Sequence, residues 1–130
     1  MEMKSSSIVV MKSDYEVMSS YVKGRAGTGK FDNENAHKLM SELSRAAVVD
    51  KSVFPKKVVR INSRVLVKEE LGGKMFDITV VTPEKADIKS RKVSFLAPIG
   101  MALIGFKEGD KVKWEVPSGE KIFLIMKVVN

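Results

Sequence analysis

Phe95-Leu96-Ala97-Pro98-Ile99-Gly100-Met101-Ala102-Leu103-Ile104-Gly105 is the stretch on which the fold turns. Proline pre-sets the backbone for the first position of a helix, and glycine suits the position just past its end. Pro98 and Gly105 therefore bracket one short helix, with Ile99, Ala102 and Leu103 on a shared face. On both sides the texture is that of strands. Downstream, Val112, Trp114 and Val116 alternate with charged neighbours, Pro117-Ser118-Gly119 predicts a turn, and Ile122 to Val129 is a mostly apolar final strand. Upstream, Val58 to Glu70 reads as a long strand region, and Leu71-Gly72-Gly73-Lys74 predicts a tight reversal into Met75 to Thr82. A short apolar helix among such strands makes a small α+β domain with an antiparallel sheet and one buried helix.

Before Pro55 the period changes. Ile8 to Met11 reads as an extended lead-in, and Ser13 and Glu16 have the spacing of a capping box that would start a helix. Tyr15, Met18 and Val22 form one apolar stripe, ended by Gly24. Arg25 to Lys30, with Gly27 and Gly29, reads as a flexible loop. From Asp32, the series Ala36, Leu39, Met40, Leu43, Ala46 and Ala47 predicts a second amphipathic helix. The expected organisation is a short antiparallel helical hairpin over residues 1–50, followed by a sheet domain over 51–130.

Composition narrows the function classes. The 130 residues carry 23 Lys+Arg against 16 Asp+Glu, a net charge of +7, with one His and no Cys. Disulfides and thiolate metal sites or nucleophiles are excluded, and cytoplasm is the expected compartment. Apolar runs such as Ile122 to Met126 are too short to span a bilayer, and Met1 to Ser7 lacks the apolar core of a signal peptide, so no membrane partner is expected. Residues 1–50 hold seven basic and seven acidic side chains, so the positive excess lies entirely beyond residue 50. There it alternates with acidic and apolar residues, as in Lys111, Lys113 and Glu115. Alternation of this kind gives a solvated strand face; the other reading, a phosphate-binding patch, would allow weak contact with nucleic acid through the basic C-terminal part.

Few residues suggest chemistry. Gly24-Arg25-Ala26-Gly27-Thr28-Gly29-Lys30 satisfies the spacing of a phosphate-binding loop, but Phe31 stands where Ser or Thr must hold magnesium, and the segment leaves an amphipathic helix instead of a buried strand. Asp32 and Glu34, where the loop meets the second helix, have two readings. They could present magnesium or activate water in a partner's active site, or Asp32 caps the helix while Glu34 favours its dipole. His37 has no nearby nucleophile or second ligand and reads as a surface residue. Trp114 reads as core. With no nucleophile beside a base anywhere, no catalytic residue, resident metal or cofactor is assigned. The apolar turn Phe95 to Ile99 has two even readings: a pre-set helix start, or a docking point for another protein.

Leu96 to Gly105, followed by Glu108-Gly109-Asp110, Trp114 and Pro117-Ser118-Gly119, resembles the C-terminal signature of the bacterial Gre transcript-cleavage factors: S-P-I-x-x-A-L-I-G, G-D-x-V and P-x-G in that order. Ala86-Asp87-Ile88-Lys89 is also similar. Ala36, Leu39, Glu42-Leu43, Arg45-Ala46, Pro55, Val58-Val59 and Asn62-Ser63-Arg64-Val65 resemble the nucleoside diphosphate kinase regulator branch of that family. The resemblance implies an FKBP-like C-terminal domain and an inward-pointing helical hairpin at the secondary channel of RNA polymerase. The rim contact would fall on Phe95, Leu96, Ala97, Pro98, Ile99 and Gly100, with the proline kept and the polar residues of the family's D/S-S-P turn replaced by Leu96 and Ala97. The family's tip motif, G-D-L-S-E-N-A, is matched only by Asn33-Glu34-Asn35-Ala36, with Asp32 displaced by one position from the first acid. The implied function is a non-enzymatic regulator that binds the polymerase without stimulating transcript cleavage. The alternatives are a true cleavage factor using Asp32 and Glu34, or an FKBP-like prolyl isomerase, which rests on fold analogy alone.

Overall fold

The computed structural model describes residues 8–25, 30–116 and 119–130, and the side chains among these other than 24, 25, 30–36, 115 and 116. Strand β1 (Val9–Met11) runs directly into helix α1 (Lys12–Arg25); helix α2 (Lys30–Ser44) is followed by strand β2 (Ala47–Val49). Then come β3 (Arg64–Glu69), β4 (Met75–Val81), β5 (Lys92–Ser94), helix α3 (Pro98–Leu103), β6 (Lys111–Val116) and β7 (Gly119–Val129).

β1 and β2 form a parallel pair, Val9 opposite Ala47. The fold is α+β, and its other strands form one mixed sheet in the order β5-β4-β3-β7-β6. Three of its four pairings are antiparallel, as expected, but β4 and β5 are parallel. The purely antiparallel sheet of the sequence reading is therefore corrected. β5 is three residues long and reaches β4 through 3₁₀ turns at Pro83–Lys85 and Ile88–Ser90, so neither length nor alternation marked it.

Other boundaries move for identifiable reasons. α1 begins at Lys12, so Ser13 lies inside the first turn and not at a cap, and α1 continues past Gly24 to Arg25. α2 begins at Lys30, which places Asp32 in its first turn and not at its N-cap. Ala46 and Ala47 are not helical: Ala47 donates its N–H to the Ile8 carbonyl at 2.8 Å and opens β2. The long strand expected from Val58 is interrupted at Asn62, whose φ of 77° is left-handed, and β3 starts only at Arg64. Gly27 and Gly29, the middle of the phosphate-loop spacing, and the turn residues Pro117 and Ser118 lie outside the described residues.

A shared core joins the parts. Val65, Val67, Val80, Val112, Phe123 and Ile125 line one sheet face and are fully buried. α3, which follows the edge strand β5 and precedes the opposite edge strand β6, puts Ile99, Ala102 and Leu103 into the same cluster. Met18 and Val22 of α1 and Leu39 and Leu43 of α2 belong to it too. Trp114 is half-buried, its ring 5.3 Å from that of Phe123. Gly105 is where the N-terminal segment meets α3: its φ is +86°, its carbonyl accepts the Val9 N–H at 3.1 Å, and a Cβ there would lie 2.5 Å from that of Ile8.

Candidate functional site

The turn from β5 into α3 is built from short-range hydrogen bonds. Ser94 Oγ accepts the Leu96 N–H at 2.9 Å, and the Ser94 carbonyl accepts the Ala97 N–H at 3.0 Å. Ala97 occupies the N-cap in extended conformation with no side-chain cap, and its carbonyl accepts the Met101 N–H at 2.9 Å. Gly100 is required by contact: a Cβ there would stand 2.1 Å from the Ser94 carbonyl oxygen. α3 is thus pressed against the end of β5.

That packing divides the six residues expected at a docking contact. Phe95, Leu96 and Ile99 are buried hydrophobics, and Gly100 is buried beneath the turn. Pro98 is exposed and Ala97 half-buried. The outward apolar surface is therefore Ala97–Pro98, while the other four hold it in place. Half-buried Met101, one turn along, was not singled out from the sequence.

Two long-range contacts fasten α1 to the rest of the fold, the first of them at this turn, and neither was readable from the sequence. The Tyr21 ring meets Phe95 edge-on at 5.4 Å, and the Tyr21 hydroxyl donates to Glu84 Oε1. That hydrogen bond is the first cause holding the Glu84 carboxyl below its ordinary value, with its own backbone N–H and the Thr82 hydroxyl adding to it. Asp14, in the first turn of α1, is buried and accepts from Arg60 Nη2 at 2.9 Å, Arg60 Nε at 3.1 Å and the Ile61 N–H at 3.2 Å. The nearest sequence signal was an acid in a helix's first turn, which the dipole alone would explain.

The second candidate pair is less determined. Asp32 and Glu34 both lie in the first half of α2, where negative charge favours the helix dipole, and their side chains fall outside those described. His37 is exposed, as expected. Among the described residues no group of three or more His, Asp or Glu side chains could hold a metal ion, and no helix is long and apolar enough to cross a membrane.

Residues 54–130 match the family described as transcription elongation factor, GreA/GreB, C-term. The chain belongs to the GreA/GreB family of transcription factors. It is similar to the regulator of nucleoside diphosphate kinase of Escherichia coli K12, with 37% identity over 84 residues, 65% of this chain and 62% of that protein. It is similar also to transcription elongation factor GreA of Clostridium botulinum Eklund 17B, with 38% identity over 90 residues, 69% of this chain and 56% of that protein. These matches span less than two thirds of either relative. A solved structure of a prokaryotic GreA/GreB elongation factor from Nitrosomonas europaea aligns over 95% of this chain and 99% of that one, with a TM-score of 0.78 and 32% identity. In this GreA/GreB chain the turn from β5 into α3 and the five-stranded sheet lie within the matched residues, whereas β1, α1, α2 and β2 precede them.

Proposed function

We propose that this chain is a non-enzymatic regulator that binds bacterial RNA polymerase at the rim of the secondary channel through the Ala97–Pro98 turn, and that it does not stimulate transcript cleavage. The carrying observation is an exposed proline on a closely packed turn: Ser94 holds it from one side, and Gly100 sits against the backbone beneath it. A preorganised apolar contact loses little entropy on binding. In this reading residues 1–50 act as a short antiparallel hairpin, residues 51–130 as an FKBP-like docking domain, and the protein works in the cytoplasm. The 14 residues of α1 and 15 of α2 correspond to about 21–23 Å of helix at 1.5 Å per residue. That is short for carrying carboxylates from the rim to the polymerase active centre, and it supports channel occupancy over cleavage.

The decisive experiment is co-elution of the full chain with polymerase core enzyme, beside Pro98→Asp. The substitution places a charge at the centre of a desolvated apolar contact and should weaken binding more than tenfold. Binding should persist in moderate salt, while steep salt dependence would favour a nucleic-acid contact. Undiminished binding by Pro98→Asp refutes the assignment of the turn.

A further inference from the structure

The face of the five-stranded sheet opposite the core has a composition that the docking turn does not explain. Strand register places its outward side chains in rows. Arg64 lies between Thr79 and Val129, and Leu66 between Asp77 and Lys127. Lys68 lies between Met75 and Leu124, Leu124 is also opposite Lys111, and Ile122 is opposite Lys113. Cations and aliphatic side chains thus interleave across four adjacent strands.

Positions 115 and 120, both Glu, oppose each other at one end of the β6–β7 pair on this same face, and away from that end ion pairing leaves a positive excess. Arg64 is paired with Asp77 at 2.7 Å, and Lys111 with Glu70 at 2.5 Å. Lys68, Lys113 and Lys127 have no ion pair among the described residues. The aliphatic component is equally unsatisfied: Met75 and Val129 are 47% and 48% exposed, and Leu66, Ile122 and Leu124 are only half-buried.

The chemistry selects one class of occupant. Single-stranded nucleic acid bound to a sheet stacks its bases on aromatic rings, but Phe76, Phe123 and Trp114 pack together on the core side of this one. Phosphates would engage the lysines and leave the aliphatic side chains uncovered. An acidic segment whose carboxylates alternate with aliphatic side chains would satisfy both components.

We propose that the outer face of strands β4, β3, β7 and β6 is a docking surface for an acidic, amphipathic segment of a partner protein. Residues of the Pro98 turn do not belong to it, so it stands apart from the proposed polymerase contact. The test uses the full chain and a fluorescein-labelled dodecapeptide of alternating Glu and Val, with an all-Glu dodecapeptide and a dodecamer of uridylate as comparison probes. The Glu-Val peptide should bind at least tenfold tighter than either, and should shift amide resonances of β3 and β7 but not those of residues 95–101. Lys68→Glu with Lys127→Glu should weaken binding at least tenfold, and Leu124→Ser at least threefold. Unchanged thermal melting shows that the variants fold. Equal affinity for all-Glu peptide would make the face a plain electrostatic patch, and preference for the oligonucleotide would make it a nucleic-acid surface; either result overturns the proposal. So does full binding by the double charge reversal.

Discussion

Replacing Asp14 by Ala tests how the first helix is fastened to the sheet. Asp14 is 4% exposed and accepts three hydrogen bonds, two from the Arg60 guanidinium and one from the Ile61 amide. Removing one partner of a buried ion pair costs about 3–5 kcal/mol. Here the Arg60 side chain is 31% exposed and regains water when released, which lowers that figure. The buried Ile61 amide has no such recourse, and an orphaned donor costs roughly 1–3 kcal/mol. These overlapping effects amount to about 3 kcal/mol, or a fall in melting temperature of roughly 10–15 °C for a chain of this size. Asp14→Asn keeps an oxygen for the Ile61 amide and should lose about half as much. The assay is urea denaturation followed by circular dichroism, extended to Arg60→Met and the double variant, which should show a coupling energy above about 1 kcal/mol. Asp14→Ala within about 0.5 kcal/mol of wild type would show that α1 is not held through this carboxylate and refute the reasoning.

Further outcomes are expected at three other places. Gly100→Ala drives a methyl group to 2.1 Å from the Ser94 carbonyl oxygen, so it should cost roughly 3 kcal/mol in denaturation and displace the Ala97–Pro98 turn. The Asp77 carboxyl is held below its ordinary value of 3.8 chiefly by the hydrogen bond from Arg64. Its stabilisation is therefore complete above that value and is lost as pH falls through the lower folded one. Because the pair is largely solvent-exposed, Asp77→Asn should cost under about 1 kcal/mol at neutral pH and nothing in strong acid, which a pH series of melting curves will read. Added to a backtracked polymerase complex in magnesium, the wild-type chain should give no RNA shortening above polymerase alone, and the Asp32→Ala, Glu34→Ala double variant should behave identically. Cleavage that depends on Glu34 would identify a cleavage factor.

Much of the local structure was readable because its causes are neighbours in the chain. The Pro98 to Gly105 helix, the reversal at 71–74 and the last two strands follow from alternation, helical spacing and the places where proline and glycine are tolerated. Membership of the GreA/GreB family was legible in the ordered motifs around the same helix. Boundaries failed where a tertiary partner outweighed a local preference. Ser13 looked like a cap, but Asp14, fixed by Arg60 and Ile61, sits at the start of a helix that opens one residue earlier. Ala46 and Ala47 continued a helical stripe, yet β1 offered Ala47 a carbonyl from across the fold.

The candidate site divides in the same way. The sequence alone determined that Phe95 to Gly100 is an apolar turn entering a helix, since proline geometry and side-chain hydrophobicity are properties of the residues themselves. Only the tertiary structure decided which of those six face outward. Burial depends on what else arrives: α3 is pressed against β5, Tyr21 comes from a helix more than seventy residues earlier to meet Phe95, and Pro98 is left at the surface. The outer sheet face was equally hidden. Alternation told which residues share a side of one strand, but the register among β4, β3, β7 and β6 is set by hydrogen bonds between distant segments, and that register brings Lys68, Leu124 and Lys111 into a single row.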